Sequence, residues 1–103
     1  MYGTVAHMRL KSGMEGQITQ QLKEFEAQHV QGFIATYCYR MDADANDYYM
    51  AVLFTDKEAY RANAQSSEQD ARYRKMRSLL EGDPEWYDGE VAYVSKGAAV
   101  GTA

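Results

Sequence analysis

The sequence predicts an α+β domain of ferredoxin-like, split βαβ plan, with a four-stranded antiparallel sheet and its helices on one face. Two observations predict it. Alternating apolar and polar runs at residues 2 to 11, 33 to 41, 48 to 55 and 90 to 95 mark four strands, and helical periodicity fills the stretches after the first and third. Three S/T-x-x-D/E signatures, Ser12-Gly-Met-Glu15, Thr55-Asp-Lys-Glu58 and Ser67-Glu-Gln-Asp70, mark helix starts. In such a signature the hydroxyl accepts an orphan backbone N–H while the acid favours the positive end of the helix dipole. With every helix on one side, the other face of the sheet is left bare and apolar. That face predicts pairing with a second copy, giving a dimeric α+β barrel.

The first strand sorts its side chains by alternation. Ala6, Met8 and Leu10 take the face suited to a helix-covered core, and Val5, His7, Arg9 and Lys11 take the other. His7 therefore points to the bare face, as a polar group at a subunit contact or in solvent. The first helix, residues 14 to 30, aligns Ile18, Leu22, Phe25 and His29 in one stripe and ends at Gly32. His29 closes the stripe where the helix C-terminus favours a cation. In the second strand, Cys38 sits between Tyr37 and Tyr39, in a place for a small hydrophobe, and as the single cysteine it makes no internal disulfide.

Between the middle strands, Asp42-Ala-Asp44-Ala-Asn46-Asp47 begins like a calcium loop. The turn glycine is replaced by Asp47 and the bidentate carboxylate by Leu53, so the segment reads as a polar hairpin loop. The last helix, residues 68 to 80, brings Tyr73, Met76, Leu79 and Leu80 to one side. Asp70 with Arg74 and Arg77 with Glu81 form acid–base pairs four residues apart. Gly82-Asp-Pro84 stops that helix, since proline lacks the N–H donor and restricts its predecessor. A single domain over residues 1 to 96 is expected, followed by a flexible tail, residues 97 to 103, of small residues without pattern.

Composition excludes several classes. A chain of 103 residues has room for one core, burying roughly two thirds of its unfolded surface. Net charge is −4 and the 11 basic residues are scattered, so no electrostatic footprint for nucleic acid is present. No stretch approaches membrane-spanning length and the opening MYGTVAHMRLK is a strand pattern rather than a basic segment and apolar run. A cytoplasmic protein is expected. Two histidines on opposite faces of the sheet, with no cysteine cluster, supply no set of transition-metal ligands.

The aromatic residues are the strongest chemical signal. Nine tyrosines and a tryptophan are many rings for so small a domain, and tyrosine offers an apolar wall with a polar tip. A cavity between sheet and helices lined by Tyr73, Tyr60, Trp86, Met8 and Phe54 would hold a flat aromatic ligand, with Asn63 orienting its oxygens. The alternative is that these rings fill the core or a dimer contact.

Three features, Lys11-Ser-Gly13 at a helix start, Gly32-Phe33 opening the second strand and Phe54-Thr-Asp-Lys-Glu-Ala-Tyr60 closing the third, carry a resemblance to the antibiotic biosynthesis monooxygenase-like family of dimeric α+β barrels. The resemblance runs over residues 1 to 95. The family's haem-degrading branch uses an asparagine on the first strand, a tryptophan on the second helical segment and a histidine ligand further on. Ala6, Asn63 and Tyr73 stand near those positions here, so the imidazole ligand is lost, leaving Tyr73 as a phenolate donor at most. The quinone-forming branch uses neither metal nor flavin and lines its pocket with Asn, Tyr, Trp and Arg, which Asn63, Tyr73, Trp86 and Arg72 match.

The resemblance implies that a phenolic or anthrone-like substrate loses a proton in a water-poor pocket and that its anion reduces dioxygen directly, with no cofactor. Tyr73 and Asn63 would position the substrate oxygens, and His29 is the candidate base. Tyr60, Arg72, Trp86, Met8 and Phe54 would bind the substrate. The competing expectations are a non-catalytic dimeric module that binds a small aromatic, and a haem-binding protein.

Overall fold

The computed structural model describes residues 1–98. Its elements follow in the order β1 Tyr2–Arg9, α1 Glu15–Ala27, β2 Phe33–Arg40, β3 Asp47–Phe54, α2 Lys57–Ala64, α3 Ser67–Arg77 and β4 Glu85–Glu90. The strands form one antiparallel sheet in the order β2-β3-β1-β4, which is the ferredoxin-like arrangement that the periodicity predicts. Alternation along β1 places Thr4, Ala6, Met8 and Leu10 in the interior, all 6% exposed or less, whereas Val5 is 47% exposed. The core beneath the helices is built from Ala6, Met8 and Leu10 with Ile18, Tyr48, Met50, Met76, Leu79 and Leu80.

The fourth strand is displaced from its expected place at residues 90 to 95. It spans Glu85–Glu90. The ladder with β1 runs from His7–Glu85 to Tyr2–Glu90, and Val91 N–H donates to the Met1 carbonyl at 2.9 Å. An alternating sequence without a partner strand does not form a ladder, and Tyr93 is left 83% exposed. This shift decides the site, because it directs Trp86 and Asp88, opposite Ala6 and Thr4, to the helix-covered face. Of the expected tail, residues 97 and 98 have no regular structure and residues 99 to 103 lie outside the described residues.

Each helix start also departs from expectation by one or two residues. α1 begins after Met14 with no side-chain cap. α2 is capped by Asp56, whose carboxylate accepts the Ala59 N–H at 2.8 Å, while Thr55 donates its own N–H to the Gly32 carbonyl at 2.8 Å. α3 is capped by Ser66 rather than Ser67; its Oγ accepts from Gln69 N–H at 3.1 Å and donates to the Asn63 carbonyl at 2.7 Å. A hydroxyl that ties the end of one helix to the start of the next outcompetes its neighbour, which touches only Glu68. Gly32 adopts φ +81°, and an added Cβ would meet the Ala59 Cβ at 2.5 Å, so the turn that brings α1 back to the sheet needs a residue without a side chain.

The hairpin loop is polar and locally closed, as expected: Asn46 N–H donates to Asp44 Oδ1 at 2.9 Å. Asp70 pairs with Arg74 at 3.0 Å. Arg77 does not pair with Glu81, because α3 ends at Arg77; it turns to Asp83 at 2.8 Å, and Glu81 pairs with Arg9 at 2.8 Å. Cys38 is exposed on edge strand β2.

Candidate active site

A cavity of about 480 Å³ lies between the sheet and the three helices. Its floor comes from the strands, with Thr4 on β1, Phe54 on β3, and Trp86 and Asp88 on β4. Its walls come from Gln21 and Phe25 on α1, Tyr60 and Asn63 on α2, and Gln69, Arg72 and Tyr73 on α3. These residues meet because helical spacing turns one face of each helix to the sheet while strand alternation sends every second residue up to meet it. One wall is aromatic: the Tyr73 and Trp86 rings lie 6.4 Å apart and tilted by 49°, and Tyr60 meets Phe54 edge to face at 5.7 Å. A flat ring has stacking surface there.

The opposite edge is polar and centred on Arg72. Its Nε donates to Gln69 Oε1 at 3.0 Å, its Nη2 to Asn63 Oδ1 at 2.8 Å and its Nη1 to Gln28 Oε1, and the guanidinium lies 4.8 Å from the centroid of the Phe25 ring. Every one of these acceptors is neutral, and among the described residues Arg72 forms no salt bridge with a carboxylate. Desolvation draws its pKa below the ordinary arginine value, opposed by the charge of Glu68, yet a guanidinium in this setting stays protonated. The result is a cation whose charge is screened by dipoles and left available to an oxyanion. Arg72 and Asn63 also line an outer groove of about 630 Å³ beside Gln28 and Gly32, so they form part of the wall between that groove and the inner cavity.

At the sheet end, Tyr60 donates its hydroxyl to Asp88 Oδ1 at 2.9 Å. Burial, and then the neighbouring Asp88, push the phenol up to about 12, so Tyr60 is a donor at neutral pH and not a base. The Thr4 hydroxyl acts on the same phenol, opposing that rise, and Gln21 Oε1 is buried without a hydrogen-bond partner among the described residues.

Of the residues that the sequence nominates, Tyr73, Asn63, Tyr60, Arg72, Trp86 and Phe54 line this one cavity. Met8 does not: at 2% exposure it is packed into the core, opposite Tyr48. His29 does not either, because α1 ends at Ala27 and the chain turns through φ +51° at His29, leaving the imidazole exposed and off the helix stripe. Thr4, Gln21, Gln69 and Asp88 are the lining residues that sequence reading misses. Thr4 had a signal, since it shares the alternation of Ala6 and Met8. Asp88 was hidden by the misplaced fourth strand. No histidine lines the cavity, and no group of three or more His, Cys, Asp or Glu that could hold a metal ion occurs among the described residues.

The sequence profile described as antibiotic biosynthesis monooxygenase matches residues 1–75. The chain belongs to the antibiotic biosynthesis monooxygenase family. No functionally curated protein matches it in sequence. Among solved structures, a mutant of SnoaB, a cofactor-independent oxygenase from Streptomyces nogalater, superposes with TM-score 0.77 at 15% identity, over 90% of this chain and 94% of that one. A putative antibiotic biosynthesis monooxygenase from Deinococcus radiodurans gives TM-score 0.75 at 9% identity, over 93% and 97%. Another from Caulobacter crescentus gives 0.75 at 14% identity, over 89% and 90%. At such identities these superpositions establish the fold, and a shared fold does not by itself fix the chemistry. No described helix of this family member is long and apolar enough to cross a membrane.

Proposed function

We propose that this protein is a cofactor-independent oxygenase that oxidises a quinol or anthrone-like aromatic in the cavity between sheet and helices. The observation that carries the proposal is the pairing, in one cavity, of a Tyr73–Trp86 aromatic wall with the Arg72–Asn63 edge, where Arg72 is hydrogen-bonded to neutral side-chain oxygens. SnoaB, which shares the fold, is a cofactor-independent oxygenase, and that supports the same reading.

An electron-rich aromatic needs little from the protein to react with dioxygen once it is an anion. The ring stacks on Trp86 and Tyr73, and its carbonyl or hydroxyl oxygen lies toward Asn63 and Arg72, which stabilise the negative charge that develops there. Asp88 is the carboxylate placed to take the proton; Asp70, the other lining carboxylate, is occupied by Arg74. The anion passes one electron to dioxygen, and the resulting radicals combine at carbon. Loss of water from the hydroperoxide then leaves a carbonyl, so one oxygen atom stays in the product and the other leaves as water. Proton-transfer help of this kind is worth about a hundred- to ten-thousandfold in rate.

Oxygen uptake with anthrones and hydroquinones tests the proposal. A Tyr73→Phe plus Asn63→Ala variant should lose about a hundredfold or more in rate, as expected on removing oxyanion donors. Full turnover in that variant would refute the site. Uptake at the uncatalysed level in the wild-type protein would favour a non-catalytic binding module.

The proposed working unit is a homodimer. Val5, Tyr37, Tyr39, Tyr49 and Tyr87 are 38% to 59% exposed, and strand register places them together on the face away from the helices. Apolar sheet faces of this kind pack against another sheet at about 10 Å, and a second copy supplies one by two-fold symmetry.

A further inference from the structure

We infer that Gln69 is a positioning residue of the cavity: its one side-chain oxygen takes hydrogen bonds from both Arg72 and Asn63, and so sets the N–H donors that these two groups keep for an oxygen of the ligand. The inference rests on the proposed aromatic ligand but not on its oxidation.

A guanidinium only donates, so every side-chain amide bonded to it must present its oxygen. Arg72 thereby orients three amides: its Nε meets Gln69 Oε1 at 3.0 Å, its Nη2 meets Asn63 Oδ1 at 2.8 Å and its Nη1 meets Gln28 Oε1. With Oδ1 given to Arg72, the amide nitrogen of Asn63 is left to donate elsewhere, and it donates to the same Gln69 oxygen at 3.4 Å. Gln69 closes a ring of hydrogen bonds through Asn63 and Arg72. A guanidinium carries five N–H donors and a side-chain amide two; among the described residues, three of those on Arg72 and one on Asn63 are engaged. The donors that remain belong to two residues that line the cavity. The backbone holds the ring in place, because Gln69 N–H donates to Ser66 Oγ, which donates to the Asn63 carbonyl, and Arg72 follows Gln69 by three residues on one helix face.

The neutrality of Gln69 matters as much as its reach. Glu68 acts on Arg72 through its charge, Asp70 is paired with Arg74, and Asp88 accepts from Tyr60. Tyr73 is the other titratable group of the lining, and α1 brings only neutral side chains to it. A carboxylate in place of the Gln69 amide would bond to the guanidinium directly and take the charge that a ligand anion would otherwise meet.

The test reads that charge at the ligand. 2-Hydroxyanthraquinone changes colour when its phenol ionises, so its absorbance in excess protein gives the ionisation constant of the bound form across a pH titration. The wild-type protein should raise that constant about tenfold over its value in free solution, as charge-assisted hydrogen bonds to a phenolate do. Gln69→Glu keeps the length of the side chain and a bond to Arg72, and should return the constant to within about threefold of the free value. Gln69→Met keeps the bulk and adds no charge; it should reduce the shift by loss of orientation alone. A merely structural glutamine would lower the melting temperature or the affinity and leave the bound constant where it was. A wild-type constant equal to the free one, or the wild-type shift kept in both variants, would overturn the inference. No absorbance change on adding wild-type protein would refute the aromatic ligand and this inference with it. A shift present in the wild type and lost in the variants, alongside background oxygen uptake, would refute the oxygenase reading alone and leave this inference standing.

Discussion

His7 is held by two carboxylates at once. Its Nε2 lies 2.6 Å from Asp47 Oδ1 and its Nδ1 2.9 Å from Glu85 Oε1, while the ring stacks on Tyr49 at 4.5 Å. Ionised carboxylates only accept hydrogen bonds, so both ring nitrogens must carry protons and the imidazole is a cation. Its bonds to Glu85 and then Asp47 raise its pKa above 6.5, and the bond to His7 lowers that of Glu85 below 4.5. A raised histidine pKa contributes stability that is fully present below 6.5 and lost as pH rises through the folded value; a lowered carboxylate pKa contributes stability that is present above 4.5 and lost as pH falls through its own. Stability should thus decline just above pH 6.5, and His7→Gln should flatten that decline. Thermal melts across this range check it; a wild-type curve identical to that of the variant would refute it. On the other side of the sheet, Arg72 shows a different solution, a cation whose hydrogen bonds go to the neutral oxygens of Gln69, Asn63 and Gln28.

At the scale of elements, the placement of side chains depends on where each helix and strand begins. The capping signatures located the helices, but the residue that caps each is chosen by tertiary partners. Ser66 joins α2 to α3 through Asn63 and Gln69, and Ser67 makes no such link. Ser66→Ala should therefore cost about 0.5–2 kcal/mol, lowering the melting temperature by about 4–8 °C for each kcal/mol, whereas Ser67→Ala should stay within about 0.5 kcal/mol. Equal losses from both serines in thermal melts would contradict the assignment. Because Ser66 bonds the carbonyl of Asn63, the same substitution should also weaken ligand binding at the Asn63–Arg72 edge. Strand β4 teaches the complementary lesson. The run at residues 90 to 95 alternates well enough to be a strand, yet β1 pairs with Glu85–Glu90 instead. The signal for Asp88 and Trp86 as neighbours of Thr4 and Ala6 existed only in that register.

For the whole molecule, one face of the sheet is covered by helices and holds the cavity, and the other is bare. The tyrosines of the bare face are exposed and adjacent, and a dimer that buries them leaves the cavities of both copies on the outside. Sedimentation at micromolar concentration should give twice the 11.7 kDa of the chain, and Tyr39→Glu, which sets a charge among apolar rings, should shift the protein toward monomer. A compact wild-type monomer would refute the dimer.

The sequence by itself determined the split βαβ plan, the two faces of β1, the polar hairpin, and six residues of the cavity lining, Tyr73, Asn63, Tyr60, Arg72, Trp86 and Phe54. It could do so because periodicity is a local property, and local pattern decides which residues share a face. Only the tertiary structure decided that Met8 belongs to the core, that His29 leaves the helix before it can reach the cavity, and that Asp88, Thr4 and Gln21 enter it. Those outcomes depend on which residues β1 pairs with, where α1 stops and which polar atoms find partners, and each is settled by contacts between segments far apart in the chain.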